Sequence, residues 1–109
     1  MDLVIRRFDV YWVNLDPTIG REIRKTRPCV IVSPNELNER LATVIIAPLT
    51  TRIRPYPTRV DCVVDGRPSS IVLDQLRTMD VKRLLGSLGT VDTSVQAKLL
   101  NVLAALFAE

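Results

Sequence analysis

Apolar residues along most of this chain fall in short blocks or alternate with polar ones, and only the C-terminal segment repeats with a helical period. The run FDVYWVNL at 8–15 is rich in β-branched and aromatic residues and closes at Asp16-Pro17, which predicts a strand ended by a turn. The segment 17–28, PTIGREIRKTRP, opens and closes on proline and carries Gly20 and four bases, and is expected to be a loop. Cys29 to Ser33 predicts a short apolar strand, Pro34 to Arg40 a polar turn or single helical turn, and Ala42 to Ala47 another strand that Pro48 breaks. A second basic segment, LTTRIRPYP at 49–57, leads to a strand over Arg59 to Val64. Its exit, Asp65-Gly66, signals a two-residue hairpin into a partner strand over Ser70 to Asp74. After Asp80, VKRLL predicts one helical turn, and 86–91 a last strand.

The tail reads as a helix. Thr93-x-x-Gln96 has the spacing of a capping box, and Val95, Leu99, Val102, Leu103 and Leu106 recur at i, i+4, i+7, i+8 and i+11, the stripe of a helix lying on a sheet. Short strands at close spacing with one terminal helix predict a small, mostly antiparallel barrel or curled sheet. No internal repeat, low-complexity tract or linker divides it, so 1–109 is expected to be a single domain.

Composition narrows the chemistry. The chain contains no histidine, which removes Ser-His-Asp and Cys-His nucleophilic arrangements, paired-imidazole RNA cleavage and every His-containing zinc site. Cys29 and Cys62 lie in apolar runs without a second cysteine at metal-ligand spacing, and are expected to be buried, reduced thiols. The N-terminus is charged too early for a signal peptide and no apolar run is long enough to span a membrane. The expected compartment is the cytoplasm, with no membrane partner. Net charge is only +3, but residues 1–60 hold ten bases against six acids while the rest hold five against six, and arginine outnumbers lysine twelve to three. That bias suits bidentate recognition of phosphate or carboxylate.

Two basic loops follow different strands. In the first, Arg21, Arg24, Lys25 and Arg27 surround a single acid, Glu22; in the second, Thr50, Thr51, Arg52 and Arg54 precede Tyr56. Arginines on surface loops also serve solubility. The sharper reading is a groove for single-stranded nucleic acid, with guanidinium groups on phosphates and Tyr56 or Trp12 available to stack a base; a core or interface position for Trp12 stands beside it.

Taken together, VYWVNLDPTIGREIRKTRPCVIVSP, APLTT, the PYP segment and SIVLDQLRTMD with LGTV before a terminal helix closely resemble the MazF/PemK (Kid-like) toxin family, over nearly the whole chain. The resemblance implies a mainly β fold with a C-terminal α-helix, the SH3-like small barrel shared by CcdB-like and PemK-like toxins. It also implies a homodimer that cleaves single-stranded RNA at short sequences without metal or cofactor, neutralised by a cognate antitoxin protein whose disordered tail occupies the RNA groove. On the family pattern, Arg27 before the strand proline and Thr50 at the end of the third strand carry catalysis, with Glu22 of the Gly20-x-Glu22 segment. Arg21, Arg24, Lys25, Thr51, Arg52 and Tyr56 are placed in the groove with Gly20, as are Asp74-Gln75 and Arg77. Arg21 and Val72 stand where the PemK/Kid branch has a histidine and an arginine, so the roles of those two do not carry over.

Without imidazole, RNA cleavage by internal attack needs a base for the 2′-OH, charge stabilisation at phosphorus and an acid for the leaving oxygen. Arg27 suits electrostatic stabilisation and Thr50 hydrogen-bond donation, while Glu22 and Asp74 compete for the base. Two alternatives come from other classes: a CcdB-type toxin that binds DNA gyrase without catalysis, and an SH3-like module that binds RNA or peptide without cutting. The gyrase-binding relatives end in Trp-Gly-Ile, whereas this chain ends Leu-Phe-Ala-Glu, with its only tryptophan at position 12.

Overall fold

The computed structural model describes residues 4–16, 20 and 25–109. Strands β1 (Asp9–Asn14), β2 (Thr26–Ile31), β3 (Thr43–Thr50), β4 (Arg59–Val64), β5 (Arg67–Val72), β6 (Arg77–Asp80) and β7 (Leu84–Thr90) form one curled antiparallel half-barrel. A short helix α1 (Asn35–Asn38) precedes β3, and helix α2 (Thr93–Phe107) ends the chain. The strand order is β4-β5-β3-β2-β1-β7, with β6 also paired to β3.

Apolar residues of opposite parity fill two cores, one on each face of the sheet. On one face Val10, Val30, Leu49, Val60, Ile71 and Leu73 bury against Leu99 of α2, flanked by Val95, Val102 and Leu103. On the other, Tyr11, Val13, Cys29, Ile31, Val44 and Ile46 close around Met79 and Leu84. Each fully buried aliphatic side chain contributes about 1.5–3 kcal/mol, so a one-residue slip of a central strand, which exchanges its faces, is strongly disfavoured.

Several boundaries differ from expectation, and the two strand prolines account for most of this. Strand β2 starts at Thr26, three residues early, and runs through Pro28, which lies opposite Trp12. Pro28 has no N–H to give β1, so that pair is of the non-hydrogen-bonded kind and its nitrogen faces the side where the ladder to β3, last recorded at Cys29–Pro48, has ended. Pro48 likewise does not break β3. Its nitrogen faces the side on which β3 has released β6, at Ile46–Arg77, and not yet taken up β5, at Leu49–Ile71. Strand β5 begins at Arg67 and ends at Val72, leaving Asp74 in the one-turn helix Leu73–Gln75. Strand β6 has no counterpart in the sequence pattern, because four residues with one buried side chain, Met79, show no period. The hairpin turn is as expected, with φ positive at both Asp65 (51°) and Gly66 (75°).

The capping box is not formed. Asp92 occupies the N-cap of α2 without a side-chain cap, and the Gln96 amide donates to Val91 O at 2.9 Å. Leu99 is the buried centre of the helical stripe, whereas Leu106 is exposed.

Both cysteines are free and buried. Burial pushes the Cys29 thiol up to about 12 against the opposing pull of Arg77 and Arg27, and pushes Cys62 up to about 11 with help from Asp61. Both thiols therefore stay protonated at pH 8, and neither is expected to react with a thiol reagent until the protein is unfolded. Above about pH 9 the unfolded thiols ionise while the folded ones do not, so stability falls as pH rises. Fast stoichiometric labelling of native protein at pH 8 would contradict this burial.

Candidate functional site: an arginine-lined cleft

Where β3 ends, the sheet presents a cleft of about 470 Å³ lined by Arg27, Thr50, Thr51, Arg52, Arg54, Arg59 and Gln75. Four guanidinium groups share this space, and no carboxylate lines it among the described residues. Beyond the last β2–β3 pair, Cys29–Pro48, Arg27 and Thr50 both line this cleft, so the two candidates 23 positions apart in sequence meet in one site. Thr50 is also held from its other side, opposite Ser70 of β5.

The Thr50 hydroxyl accepts from the backbone N–H of Arg52 at 3.1 Å. With a lone pair so engaged, its proton is available for a ligand, which makes Thr50 a donor toward an anionic oxygen. Among the described residues, nothing hydrogen-bonds or ion-pairs with the exposed Arg27 guanidinium. A phosphate entering the cleft therefore meets a bidentate cation and a hydroxyl donor side by side.

The pair Asp74-Gln75 divides. Gln75 lines the cleft, but Asp74 does not: its Oδ1 accepts from the Thr58 hydroxyl at 3.0 Å and from Arg59 Nε at 3.4 Å. Arg59, which no sequence pattern singles out, also lies over the Tyr56 ring at 4.8 Å. This one residue therefore ties the second basic loop to the turn that carries Gln75. It reads as an ordinary strand residue in sequence, and only the fold brings Tyr56 and Asp74 to either side of it. Tyr56 itself lies outside the cleft, in a neighbouring hollow with Lys98 and Asn101 of α2 that shares Arg54 and Arg59 with it.

Arg77 is not in the cleft. Its Nη1 donates to Leu15 O at 2.8 Å, and Arg83 donates to the carbonyls of Asn14 and Asp16. Leu15 N donates to Lys25 O at 3.0 Å and Lys25 N to Asp16 Oδ1 at 3.2 Å, with Lys25 at φ +67°. These bonds close the neck of the first basic loop, beside Arg27. Lys25 lines a second cleft, which shares Arg27 and Thr51 with the first. Gly20 is exposed with φ +62°, and Arg21, Glu22 and Arg24 lie outside the described residues. No group of acidic or thiol side chains able to hold a metal ion occurs among the described residues, and no helix there is long and apolar enough to cross a membrane.

A β half-barrel with a terminal helix, bearing a cleft of arginines and threonines at the strand ends, defines a small polyanion-binding protein. The chain belongs to the PemK-like, MazF-like toxins of type II toxin-antitoxin systems, whose family model matches residues 6–107. It is 33% identical over 103 residues to Endoribonuclease EndoA of Bacillus subtilis (strain 168), covering 88% of each chain. It is similar in structure to MazF of Deinococcus radiodurans, with a TM-score of 0.84 at 26% identity over 96% of this chain and 97% of that one. It is also similar to a mycobacterial endoribonuclease solved in complex with its cognate antitoxin, with a TM-score of 0.80 at 27% identity over 93% and 92%.

The cleft's charge makes a direct prediction. Changing Arg52 or Arg54 to Ala is expected to weaken binding of a single-stranded oligonucleotide and to reduce the slope of log affinity against log salt by about 0.7 for each phosphate no longer neutralised. An unchanged slope would put these side chains away from the sugar-phosphate backbone.

Proposed function

We infer that this protein is the toxin of a type II toxin-antitoxin module and acts as an endoribonuclease on single-stranded RNA. The observation that carries the reading is the cleft in which Arg27 and Thr50 stand together with three further arginines, in a chain similar along its length to a named endoribonuclease. The gyrase-binding and non-cleaving alternatives lack an equivalent support, since the relative matched along the chain is named an endoribonuclease.

In the proposed reaction the RNA supplies its own nucleophile. The 2′-oxygen attacks the adjacent phosphorus, its proton passing to a base, and the P–O5′ bond breaks as the leaving oxygen takes up a proton. A 2′,3′-cyclic phosphate and a 5′-hydroxyl remain. Arg27 forks onto the non-bridging oxygens, where negative charge grows, and Thr50 donates to the same group. Glu22 is assigned the base. Asp74, already held by Arg59 and Thr58, is assigned to positioning.

The partners follow from the same reading: single-stranded RNA, a cognate antitoxin that covers the groove, and a second copy of the chain. Helix α2 leaves Leu100, Leu106 and Phe107 exposed, apolar surface that a second copy can cover. We place the protein in the cytoplasm as a single toxin domain, acting without metal.

Incubation of purified protein with a long single-stranded RNA in EDTA tests the reading. Discrete fragments ending in 2′,3′-cyclic phosphate are expected, and intact RNA would remove it. Arg27→Ala and Thr50→Ala are expected to abolish cleavage with folding intact; wild-type rates in either variant would sink their assignment. Asp74→Asn keeps an acceptor for Thr58 and is expected to cost less than about 10-fold. A loss in the range of about 10²–10⁴-fold, with disappearance of the acidic pH limb, would instead make Asp74 the proton acceptor.

A further inference from the structure

Beside the arginine cleft lies a second hollow of about 520 Å³, whose apolar wall is Trp12, Pro28 and Leu88 and whose rim carries Lys25, Asp65 and Arg67. We propose that it is a nucleobase subsite, holding on Trp12 a base of the nucleotide that flanks the cleaved phosphodiester. The proposal rests on the endoribonuclease reading and adds to it a residue that reads the RNA.

Four observations carry it. By strand alternation Trp12 continues the row of Val10, yet Val10 is 1% exposed and Trp12 is 41% exposed. The helix that covers Val10's core contributes no residue to the hollow. Gly86 of β7 puts no side chain on the indole, its Cβ position lying 4.0 Å from Trp12 Cδ1. A large aromatic surface is thus left open on a rigid central strand, where a planar ligand can stack with little loss of side-chain entropy.

The hollow also adjoins the arginine cleft, with Arg27 and Thr51 forming the wall they share. A strand whose phosphate sits on Arg27 can pass a flanking base over that shared wall toward Trp12. The rim suits that occupant. Lys25 and Arg67 can donate to ring carbonyls or to the next phosphate, and the Asp65 carboxylate can accept from an exocyclic amino group. Its volume falls within the range of about 300–1,000 Å³ common to ligand pockets. Base–aromatic stacking tolerates any base, so the stack supplies affinity and the polar rim supplies choice among bases.

Trp12 is the only tryptophan, so its emission reports on this hollow alone. The probe is the shortest oligoribonucleotide that the wild-type protein cuts, made with 2′-deoxyribose at the attacking nucleotide so that it binds uncut. Binding is expected to quench Trp12 emission. Removing the base at one position beside the scissile bond should abolish the quench and weaken binding by about 5- to 100-fold, the range of one base–aromatic stack. Trp12→Ala, followed by anisotropy of labelled RNA, should weaken binding of the intact probe by a similar factor and remove the sensitivity to that abasic position, with Trp12→Phe restoring most of the affinity.

Unchanged emission on saturation with intact RNA overturns the proposal, as does an equal quench by every abasic probe or wild-type affinity in Trp12→Ala. An emission change given by the antitoxin tail and not by RNA overturns it too and assigns the hollow to the protein partner. If Trp12→Ala fails to fold, the abasic series on wild-type protein and Trp12→Phe decide. Failure of the underlying reading is seen separately, as absence of any RNA cleavage by the wild-type protein.

Discussion

The two-sided pairing of β3 is the constraint from which the site follows. One edge of this strand pairs with β2 along Ile46–Pro48, while the other pairs first with β6 and then with β5. Its side chains are buried on both faces: Val44 and Ile46 in one core, Ala47 and Leu49 in the other. Slippage would have to break three ladders and invert two cores together. The end of β3 is accordingly a fixed point, and Thr50 sits there with Arg27 brought to it by β2. The strand prolines belong to the same arrangement. Pro28 and Pro48 mark where one ladder has stopped and the next has not begun, so the sheet opens at that place without leaving a donor unpaired. The opening is where the clefts lie.

Four guanidinium groups in one cleft repel one another, and among the described residues no lining carboxylate relieves them. Such an arrangement lowers the stability of the free protein, and the two cores beneath must offset it. Asp74, the acid that competes with Glu22 in the sequence reading, is turned away: Arg59 and Thr58 hold it outside the cleft. Had it stood beside Arg27, it would have neutralised the guanidinium that a phosphate needs. Arg59 instead commits its Nε to Asp74 and its planar face to Tyr56, ordering two loops while keeping its charge at the cleft wall.

Much of this is legible in the residues. β-Branched runs locate β1 and β4, Asp65-Gly66 locates the hairpin turn, and the terminal stripe locates α2. The Arg27–Thr50 pairing is legible only through family resemblance, because it joins residues on different strands and no local pattern encodes register across a ladder. The errors also have physical causes. Proline reads as a strand breaker at 28 and 48, although its cost depends on which edge its nitrogen faces. Strand β6 is too short to show a period, and Arg77 looks like a groove residue because its partner, a backbone carbonyl at Leu15, leaves no mark in sequence.

Arg77 in its observed position clarifies how chemistry without histidine is arranged. Of the groups in the cleft, Arg27 does not give up its proton at neutral pH, and Thr50, which accepts from the Arg52 N–H, keeps its own proton to donate. A base must then come from elsewhere, and a carboxylate is the remaining class. On the proposal made above, that carboxylate is Glu22 of the first basic loop. That loop has a fixed neck: Arg77 and Arg83 hold the carbonyls of Asn14, Leu15 and Asp16, and Lys25 closes the other side two residues before Arg27. The division of labour is therefore spatial. The sheet fixes Arg27 and Thr50, and the neck fixes the root of the first basic loop. Substitution at Arg77 would act on the loop without touching the phosphate, which makes it a positioning residue rather than a groove residue.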